Sequence, residues 1–196
     1  MKNDNIHNPI IEIKHYNLTY GHVNIFNDFD FVLEKNEIVG LYGPTGCGKT
    51  SLLNKIIEDY INIYKISYVF QDNRLLDNLT VMKNITLPLE NIMKKADCES
   101  RAGEILQLLD LGNKISDKTS VLSGGERQRV NIGRALVYPC DILLMDEPFS
   151  AQDNSHRNKI IELTKKLILD KGISAVIVSH NKDDLYTLCN RIIMIG

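Results

Sequence analysis

One octapeptide constrains this chain more than any other feature. Residues 43–50 read GPTGCGKT and match the pattern G-x-x-x-x-G-K-[ST] at every fixed position. An apolar run typical of a strand precedes the motif, and apolar residues at helical spacing follow it. Glycines let the backbone wrap around a phosphate, and a helix N-terminus adds about half a positive charge, so the motif predicts a phosphate-binding loop. Lys49 should reach the β- and γ-phosphates of a nucleotide, and the Thr50 hydroxyl should ligate Mg²⁺.

The predicted nucleotide contacts of this loop are Gly43, Pro44, Thr45, Gly46, Cys47, Gly48, Lys49, Thr50 and Ser51. A plain glycine-rich turn is the competing interpretation, and the strand before and the helix after the motif count against it. Cys47 fits the loop as a small filler, with a reactive thiol at the helix start as the open alternative.

Composition excludes several classes of protein. The chain has 196 residues, enough for one domain with a buried core, and its 43% hydrophobic and 24% charged residues are typical of a globular protein. The net charge of −2 offers no bulk positive field for nucleic acid. No apolar run approaches the roughly 18–20 residues of a membrane helix, and the polar N-terminus does not resemble a secretion signal. Four widely spaced cysteines predict free thiols in a reducing, cytoplasmic compartment.

Apolar runs alternate with helical patterns along the chain. We predict strands at residues 10–18, 29–33, 38–42, 66–70, 142–145, 175–178 and 191–195. Helical spacing follows Lys49, covers residues 78–118 and recurs over 160–168. The runs at 142–145 and 175–178 are continuously apolar, as in strands that are covered on both faces of a parallel sheet. The alternation therefore favours an α/β fold with right-handed crossovers.

A second motif, LSGGERQ at residues 122–128, has the form of another anion-binding helix start. Ser123 and Glu126 have the spacing of a capping box, and that local role is compatible with a functional one. A cap alone does not require Gly124 and Gly125, because each glycine costs a helix about 1 kcal/mol. Two glycines behind an N-cap serine expose backbone N–H groups that can bind a phosphate.

Two carboxylates end the apolar run at 142–145. Asp146 is placed to hold Mg²⁺, through water, and Glu147 should face the opposite way and polarise a water molecule. Pro148 then stops the strand. A general base is worth roughly 10²–10⁴-fold in rate. An acidic turn without chemistry is the alternative, and the phosphate-binding loop counts against it.

Together, in this order, the motifs resemble the ATP-binding cassette of ABC transporters over about residues 11–196. Residues 43–50 look like Walker A, residues 122–128 like the ABC signature, and residues 142–147 like Walker B with its catalytic glutamate. The resemblance implies a P-loop NTPase cassette with a mostly parallel core sheet and an antiparallel N-terminal β part. It also implies a single domain over residues 1–196, with a helical subdomain at about 78–138 inserted in a RecA-like core.

Three further residues take roles from the resemblance. Gln71 is similar to the Q-loop glutamine that contacts Mg²⁺ and senses the membrane partner, and His180 to the switch histidine that contacts the γ-phosphate. Tyr20 resembles the aromatic residue that stacks on adenine, since a ring face suits any base. Taken alone, His180 would more often be a loop histidine without a ligand. The implied catalytic residues are Glu147, His180, Lys49 and Gln71, the metal-binding residues are Thr50, Gln71 and Asp146, and the signature contacts are Ser123, Gly124, Gly125 and Glu126.

The resemblance also implies the cofactors and partners. ATP and Mg²⁺ would bind between Walker A of one cassette and the signature of a second copy, in a head-to-tail homodimer. Opening and closing of this dimer would drive separate transmembrane permease subunits, with the chain cytoplasmic and peripheral on the inner face of the cell membrane and without a nucleic-acid partner. Residues 70–81 and 147–151 look most like the nitrate/sulfonate/taurine importers. An exporter or lipoprotein-release ATPase, a soluble ABC-type ATPase and a scaffold without turnover are the alternatives.

Two departures from the family pattern carry expectations of their own. Gln71 follows Lys49 by only 22 residues, so we expect the antiparallel edge sheet to be trimmed with little effect on the phosphate site. Gln152 replaces the usual leucine of the D-loop, a segment that touches the opposite subunit. We expect this glutamine to alter communication between the two sites. The chain stops after the predicted strand at 191–195, so we also expect no C-terminal regulatory domain.

Overall fold

Seven strands and six helices form the part of the chain that the computed structural model describes, residues 8–152 and 154–196. The strands are β1 (Pro9–Tyr20), β2 (Val23–Glu34), β3 (Ile38–Tyr42), β4 (Ile66–Val69), β5 (Ile142–Asp146), β6 (Ser174–Val178) and β7 (Arg191–Met194). The helices are α1 (Lys49–Tyr60), α2 (Val81–Thr86), α3 (Lys95–Leu108), α4 (Gly124–Val137), α5 (Asn154–Asp170) and α6 (Lys182–Leu188).

Five of the strands form one parallel sheet in the order β4-β5-β6-β3-β7. Parallel strands end at the same edge of a sheet, so the segments that follow β3, β4, β5 and β6 leave from one side. Those segments carry the phosphate-binding loop, Gln71, Glu147 and His180, respectively. The predicted α/β fold with a parallel core sheet is confirmed.

Apolar side chains of the inner strands alternate between two cores. On β5, Leu143 and Met145 belong to the core that includes buried residues of α2, α3 and α4. Ile142 and Leu144 belong to the core on the other face, with α1 and the β1–β2 pair. All five residues of β5 and of β6 are buried. The sheet is therefore covered on both faces, as the continuous apolar runs predict.

Strands β1 and β2 form a separate antiparallel sheet, which packs on α1 through a shared core. β2 begins at Val23, six residues before the predicted strand, because Tyr20 pairs with Val23 across a two-residue turn whose Gly21 has φ 59°. The exposed face of this part of the strand carries polar residues, so the sequence shows no apolar run here. α1 ends at Tyr60, and the chain returns directly to β4, so the antiparallel part has two strands within the described residues. The expectation of a trimmed antiparallel part is confirmed.

The helical prediction for residues 78–118 holds only over Val81–Thr86 and Lys95–Leu108. Pro88 lies in a 3-10 turn that separates α2 from α3, because proline donates no backbone hydrogen bond. α3 ends before Asp110, whose φ of 55° is left-handed, and residues 109–118 contain a short 3-10 turn and an isolated antiparallel bridge from Lys118 to Thr80. α2 and α3 pack against α4, the helix that begins with the signature motif.

All four cysteines are free thiols, as predicted. Burial raises the pKa of Cys140 to about 11 and that of Cys189 to about 12, so both thiols stay protonated near neutral pH. Within the described residues, none of the helices combines the length and the apolar character needed to cross a membrane.

Candidate functional site

A cleft of about 360 Å³ lies at the edge of the sheet where the parallel strands end. It is lined by Tyr20, Thr45, Gly46, Gly48, Lys49, Thr50, Ser51, Gln71, Asp146, Glu147, Val178 and His180. The structure thus gathers most of the predicted site residues from five separate segments of the chain. A larger hollow of about 520 Å³ lies between α2 and α3, but it has no phosphate-binding loop.

The phosphate-binding loop holds the ammonium group of Lys49 among its own backbone atoms. Lys49 Nζ donates to the carbonyl oxygens of Gly43 at 2.7 Å and Pro44 at 2.8 Å, and it lies 3.8 Å from Cys47 Sγ. The lysine is 7% exposed. A buried cation is therefore fixed at the start of α1, where the helix dipole adds to its charge.

At two positions of the loop, neighbouring atoms leave no room for a Cβ atom, so only glycine fits. A Cβ atom at Gly43 would lie 2.1 Å from the carbonyl oxygen of Ile195. Gly48 has φ 99°, and a Cβ there would lie 2.4 Å from Ile25 Cγ2 and 2.8 Å from the Phe26 ring. The motif is therefore fitted to the neighbouring strands as well as to a ligand.

Oxygen ligands suited to Mg²⁺ lie beside the loop. Thr50 Oγ1 donates to Asp146 Oδ2 at 2.7 Å, and Asp146 is 5% exposed. Gln71 lines the same cleft. Burial and the nearby Asp146 carboxylate raise the pKa of Tyr68 above its usual range, so its phenol stays neutral beside the carboxylate. A hydroxyl and a carboxylate are the donors that Mg²⁺ prefers, so these residues fit the ion.

Asp146 and Glu147 do not face opposite ways, contrary to the prediction, because both line the cleft. Glu147 has φ 48°, a left-handed conformation that breaks the alternation of the strand one residue after β5 ends. Its N–H still donates to Val178 O at 3.0 Å, so the turn begins against β6. Such backbone strain in a non-glycine residue is typical of functional sites.

Glu147 and His180 form the polar pair of the cleft. Glu147 Oε1 lies 2.9 Å from His180 Nδ1, without the angles of a hydrogen bond, and His180 N donates to Glu147 Oε2 at 3.4 Å. The glutamate side chain is 6% exposed and that of the histidine 60%. Burial raises the pKa of Glu147 to about 7; Asp146 adds to the rise, and the His180 N–H and Lys49 oppose it. A carboxylate with this pKa is suited to act as a general base near neutral pH.

Tyr20 lies at the rim of the cleft with 62% of its surface exposed. It comes from the end of β1, next to the turn at Gly21. An exposed aromatic ring at this position is free to stack on a base.

The signature residues start α4, and the capping box is present as predicted. Ser123 N donates to Glu126 Oε2 at 2.8 Å, and Glu126 N donates to Ser123 Oγ at 3.3 Å. The backbone hydrogen bond from Ser123 lowers the pKa of Glu126. The described residues that line the cleft do not include the signature residues Ser123, Gly124, Gly125 and Glu126. Within one chain the start of α4 is therefore not part of the cleft at the start of α1.

Several hydrogen bonds that hold the segments around Glu147 and His180 could not be predicted from the sequence. Gln128 of α4 donates from Nε2 to Glu147 O at 3.1 Å, which holds the strained turn. Arg157 makes two hydrogen bonds to Asp184, at 2.9 and 2.6 Å, and Asp184 Oδ2 also accepts from Ser179 Oγ, beside His180. These partners lie 19 or more residues apart in most cases, and a helix pattern does not show which distant loop a polar side chain meets.

Comparison with known proteins identifies relatives of this architecture. The family model described as "ABC transporter" matches residues 26–150. The methionine import ATP-binding protein MetN 1 of Acinetobacter baylyi is 32% identical over 95% of this chain and 60% of its own length. The aliphatic sulfonates import ATP-binding protein SsuB 1 of Shouchella clausii is 34% identical, over 90% of this chain and 73% of its own length. The chain spans less than two thirds of the length of the first curated relatives that it matches.

Solved structures give the same result. The dimeric structure of MJ0796, a bacterial ABC transporter cassette, superposes with a TM-score of 0.83 and 29% identity, over 94% of this chain and 93% of that one. A second dimeric structure of that cassette, in a post-hydrolysis state with ADP and Pi, superposes equally well. On the family match, the relatives and the shared cassette architecture, the chain belongs to the ABC transporter family as an ATP-binding cassette.

Proposed function

We propose that this chain binds and hydrolyses ATP as the energy-supplying subunit of an ABC transporter. The observation that carries the proposal is the cleft itself, where the phosphate-binding loop meets a buried glutamate whose pKa is about 7. Family membership and a related cassette with ADP and Pi support the same reaction. The proposed catalytic residues are Glu147, His180, Lys49 and Gln71.

The geometry suggests how the residues divide the work. Lys49 and the backbone N–H groups of residues 43–51, apart from Pro44, bind the β- and γ-phosphates, and Thr50, Asp146 and Gln71 would hold Mg²⁺. When bound, Mg²⁺ neutralises charge on the phosphate oxygens. Glu147 takes a proton from the attacking water, whose oxygen bonds to the γ-phosphorus as the bond from that phosphorus to the bridging oxygen of ADP breaks. His180, 2.9 Å from the glutamate, orients it and contacts the γ-phosphate.

A second copy of the chain would complete the site. We propose that Ser123, Gly124, Gly125 and Glu126 of one cassette meet the nucleotide held by the loop of the other, in a head-to-tail homodimer. The dimeric state of the related cassette supports this arrangement. The separation of the two anion-binding helix starts within one chain supports it as well, because one loop does not surround a triphosphate.

Transport would follow from opening and closing of this dimer. We propose that the dimer drives separate transmembrane permease subunits from the inner face of the membrane, and that residues 78–138 form a helical subdomain inserted in the core. The relatives are named as import proteins for methionine, spermidine/putrescine and aliphatic sulfonates, which favours import of a small solute over export or lipoprotein release.

Three variants test the proposal. Lys49→Ala should abolish tight ATP binding measured with a fluorescent ATP analogue, because the buried cation is lost, whereas Lys55→Ala on the same helix should bind normally. Glu147→Gln should bind ATP, dimerise and stop releasing phosphate. Ser123→Arg should bind ATP as a monomer without forming the ATP dimer. Unchanged affinity in Lys49→Ala, or phosphate release near the wild-type rate in Glu147→Gln, would refute the proposed site.

A further inference from the structure

Gln152 connects two parts of the molecule that the proposed mechanism treats separately. It lies five residues after Glu147 and is 7% exposed. Its Nε2 donates to the carbonyl oxygen of Gly125 at 2.8 Å, and its Oε1 accepts from Arg129 Nη1 at 3.3 Å. Both polar ends of the side chain are therefore bonded to the first turns of α4, the helix that begins with the signature motif.

A second glutamine makes the reverse connection. Gln128 of α4 donates from Nε2 to Glu147 O at 3.1 Å and accepts from Ala151 N at 2.9 Å. We name residues 147–152 the catalytic loop. One glutamine reaches from the helix into the catalytic loop and one from the loop into the helix, so a displacement of either element is passed to the other.

The contact between the two elements is tight. A Cβ atom at Gly125 would lie 3.2 Å from Ala151 O, so the backbones approach closely. Among the described residues, Arg129 Nε is buried without a hydrogen-bond partner, and Gln152 Oε1 accepts from Nη1 of the same guanidinium. A leucine, the residue that the family resemblance places at 152, makes neither bond and leaves the half-buried guanidinium of Arg129 with one partner fewer.

We propose that Gln152 is a positioning residue that sets the first turn of α4 relative to Glu147 and thereby couples the two nucleotide sites of the dimer. The proposal rests on the proposed head-to-tail function. There, Ser123 and Gly125 contact the nucleotide of the second copy, while Glu147 of the same chain acts on its own nucleotide. Engagement of one nucleotide is thus transmitted, through Gln152 and the catalytic loop, to the base of the other site.

The experiment uses the full chain with Glu147→Gln as the reference, so that ATP is not consumed. Gln152→Leu removes both bonds, and Gln152→Glu keeps an acceptor for Arg129 but loses the donor to Gly125. Gln107→Leu, at an exposed glutamine of α3, is the matched control. Sedimentation with Mg-ATP measures dimerisation, and a fluorescent ATP analogue at low protein concentration measures binding by the monomer.

We expect Gln152→Leu to weaken ATP-driven dimerisation about tenfold, the effect of losing a hydrogen bond to a charged group. Gln152→Glu should weaken dimerisation as well. In both Gln152 variants, the affinity of the monomer for the ATP analogue should stay within about twofold of the reference. Gln107→Leu should stay within about twofold of the reference in both dimerisation and monomer affinity. With Glu147 restored, Gln152→Leu should lower the Hill coefficient for ATP towards one.

Other outcomes overturn the proposal. Gln152 variants that dimerise like the reference, or an unchanged Hill coefficient, would show that Gln152 couples nothing. Equal losses of monomer affinity and of dimerisation would show a general structural role. A reference chain that stays monomeric with ATP would instead refute the head-to-tail function, and the role of Gln152 with it.

Discussion

Replacement of Glu147 by glutamine should make the nucleotide-free protein more stable at neutral pH. The buried carboxylate has a pKa of about 7 in the folded chain, against 4.5 when solvated, so the fold favours its neutral form. The stability that this preference contributes is fully present below about pH 4.5 and is lost as the pH rises to about 7. Glutamine is neutral at every pH, so the Glu147→Gln chain keeps this stability as the pH rises.

The size of the effect follows from the two pKa values. Each pKa unit corresponds to about 1.36 kcal/mol, so the ionised carboxylate costs the fold at most ~3 kcal/mol above pH 7. The cleft is open to water beside this 6% exposed side chain, and we therefore expect about 2 kcal/mol. Glu147→Gln should gain this amount at pH 8, about half of it or more at pH 6, and nothing at pH 4.

Urea unfolding of both chains between pH 4 and pH 8.5, followed by circular dichroism, measures the difference. Glu126→Gln serves as a control of opposite sign, because the capping hydrogen bond lowers the pKa of Glu126. Its carboxylate stabilises the fold above about pH 4.5, so this variant should be less stable at pH 7 and approach the wild type in acid. A Glu147→Gln difference that does not change with pH would refute the assignment of a raised pKa.

Three further predictions follow from contacts in and around the cleft. Phosphate release should rise with pH as Glu147 ionises, reaching about a tenth of its plateau at pH 6 and half near pH 7; a flat profile from pH 6 to pH 8 would contradict this. Gly48→Ala should lose roughly 1–3 kcal/mol in urea unfolding because its Cβ meets Ile25, whereas Gly103→Ala, with open space at that position, should gain up to about 1 kcal/mol. Asp184→Ala should cost roughly 3–5 kcal/mol by leaving the guanidinium of Arg157 without its buried partner, and equal stability of the two chains would refute that pairing.

The sheet could be predicted because its signal is local and strong. The continuous apolar runs that became β5 and β6 are buried along their whole length, and the order of motifs fixes which loops leave the same edge. The capping box of Ser123 and Glu126 needs only a spacing of three residues. The structure brings Lys49, Asp146 and His180 to one cleft, and their chemical roles remain predictions.

Features that depend on tertiary contact could not be predicted in this way. Glu147 turns into the cleft with Asp146 because its backbone is left-handed, and an alternating strand pattern places it on the other side. The bond from Gln152 to Gly125 joins residues 27 positions apart and has no sequence signature. The family resemblance of the sequence marks Gln152 as a departure, but only the structure shows which atoms it contacts.

The proposed mechanism requires that one nucleotide is bound by two copies of the chain. A crystal structure of Glu147→Gln with Mg-ATP tests it directly. We predict a dimer in which Ser123 Oγ and Gly125 N of one copy lie within about 3 Å of the γ-phosphate held by Lys49 of the other. A structure in which residues 122–126 face solvent, away from every nucleotide, would contradict the shared binding site.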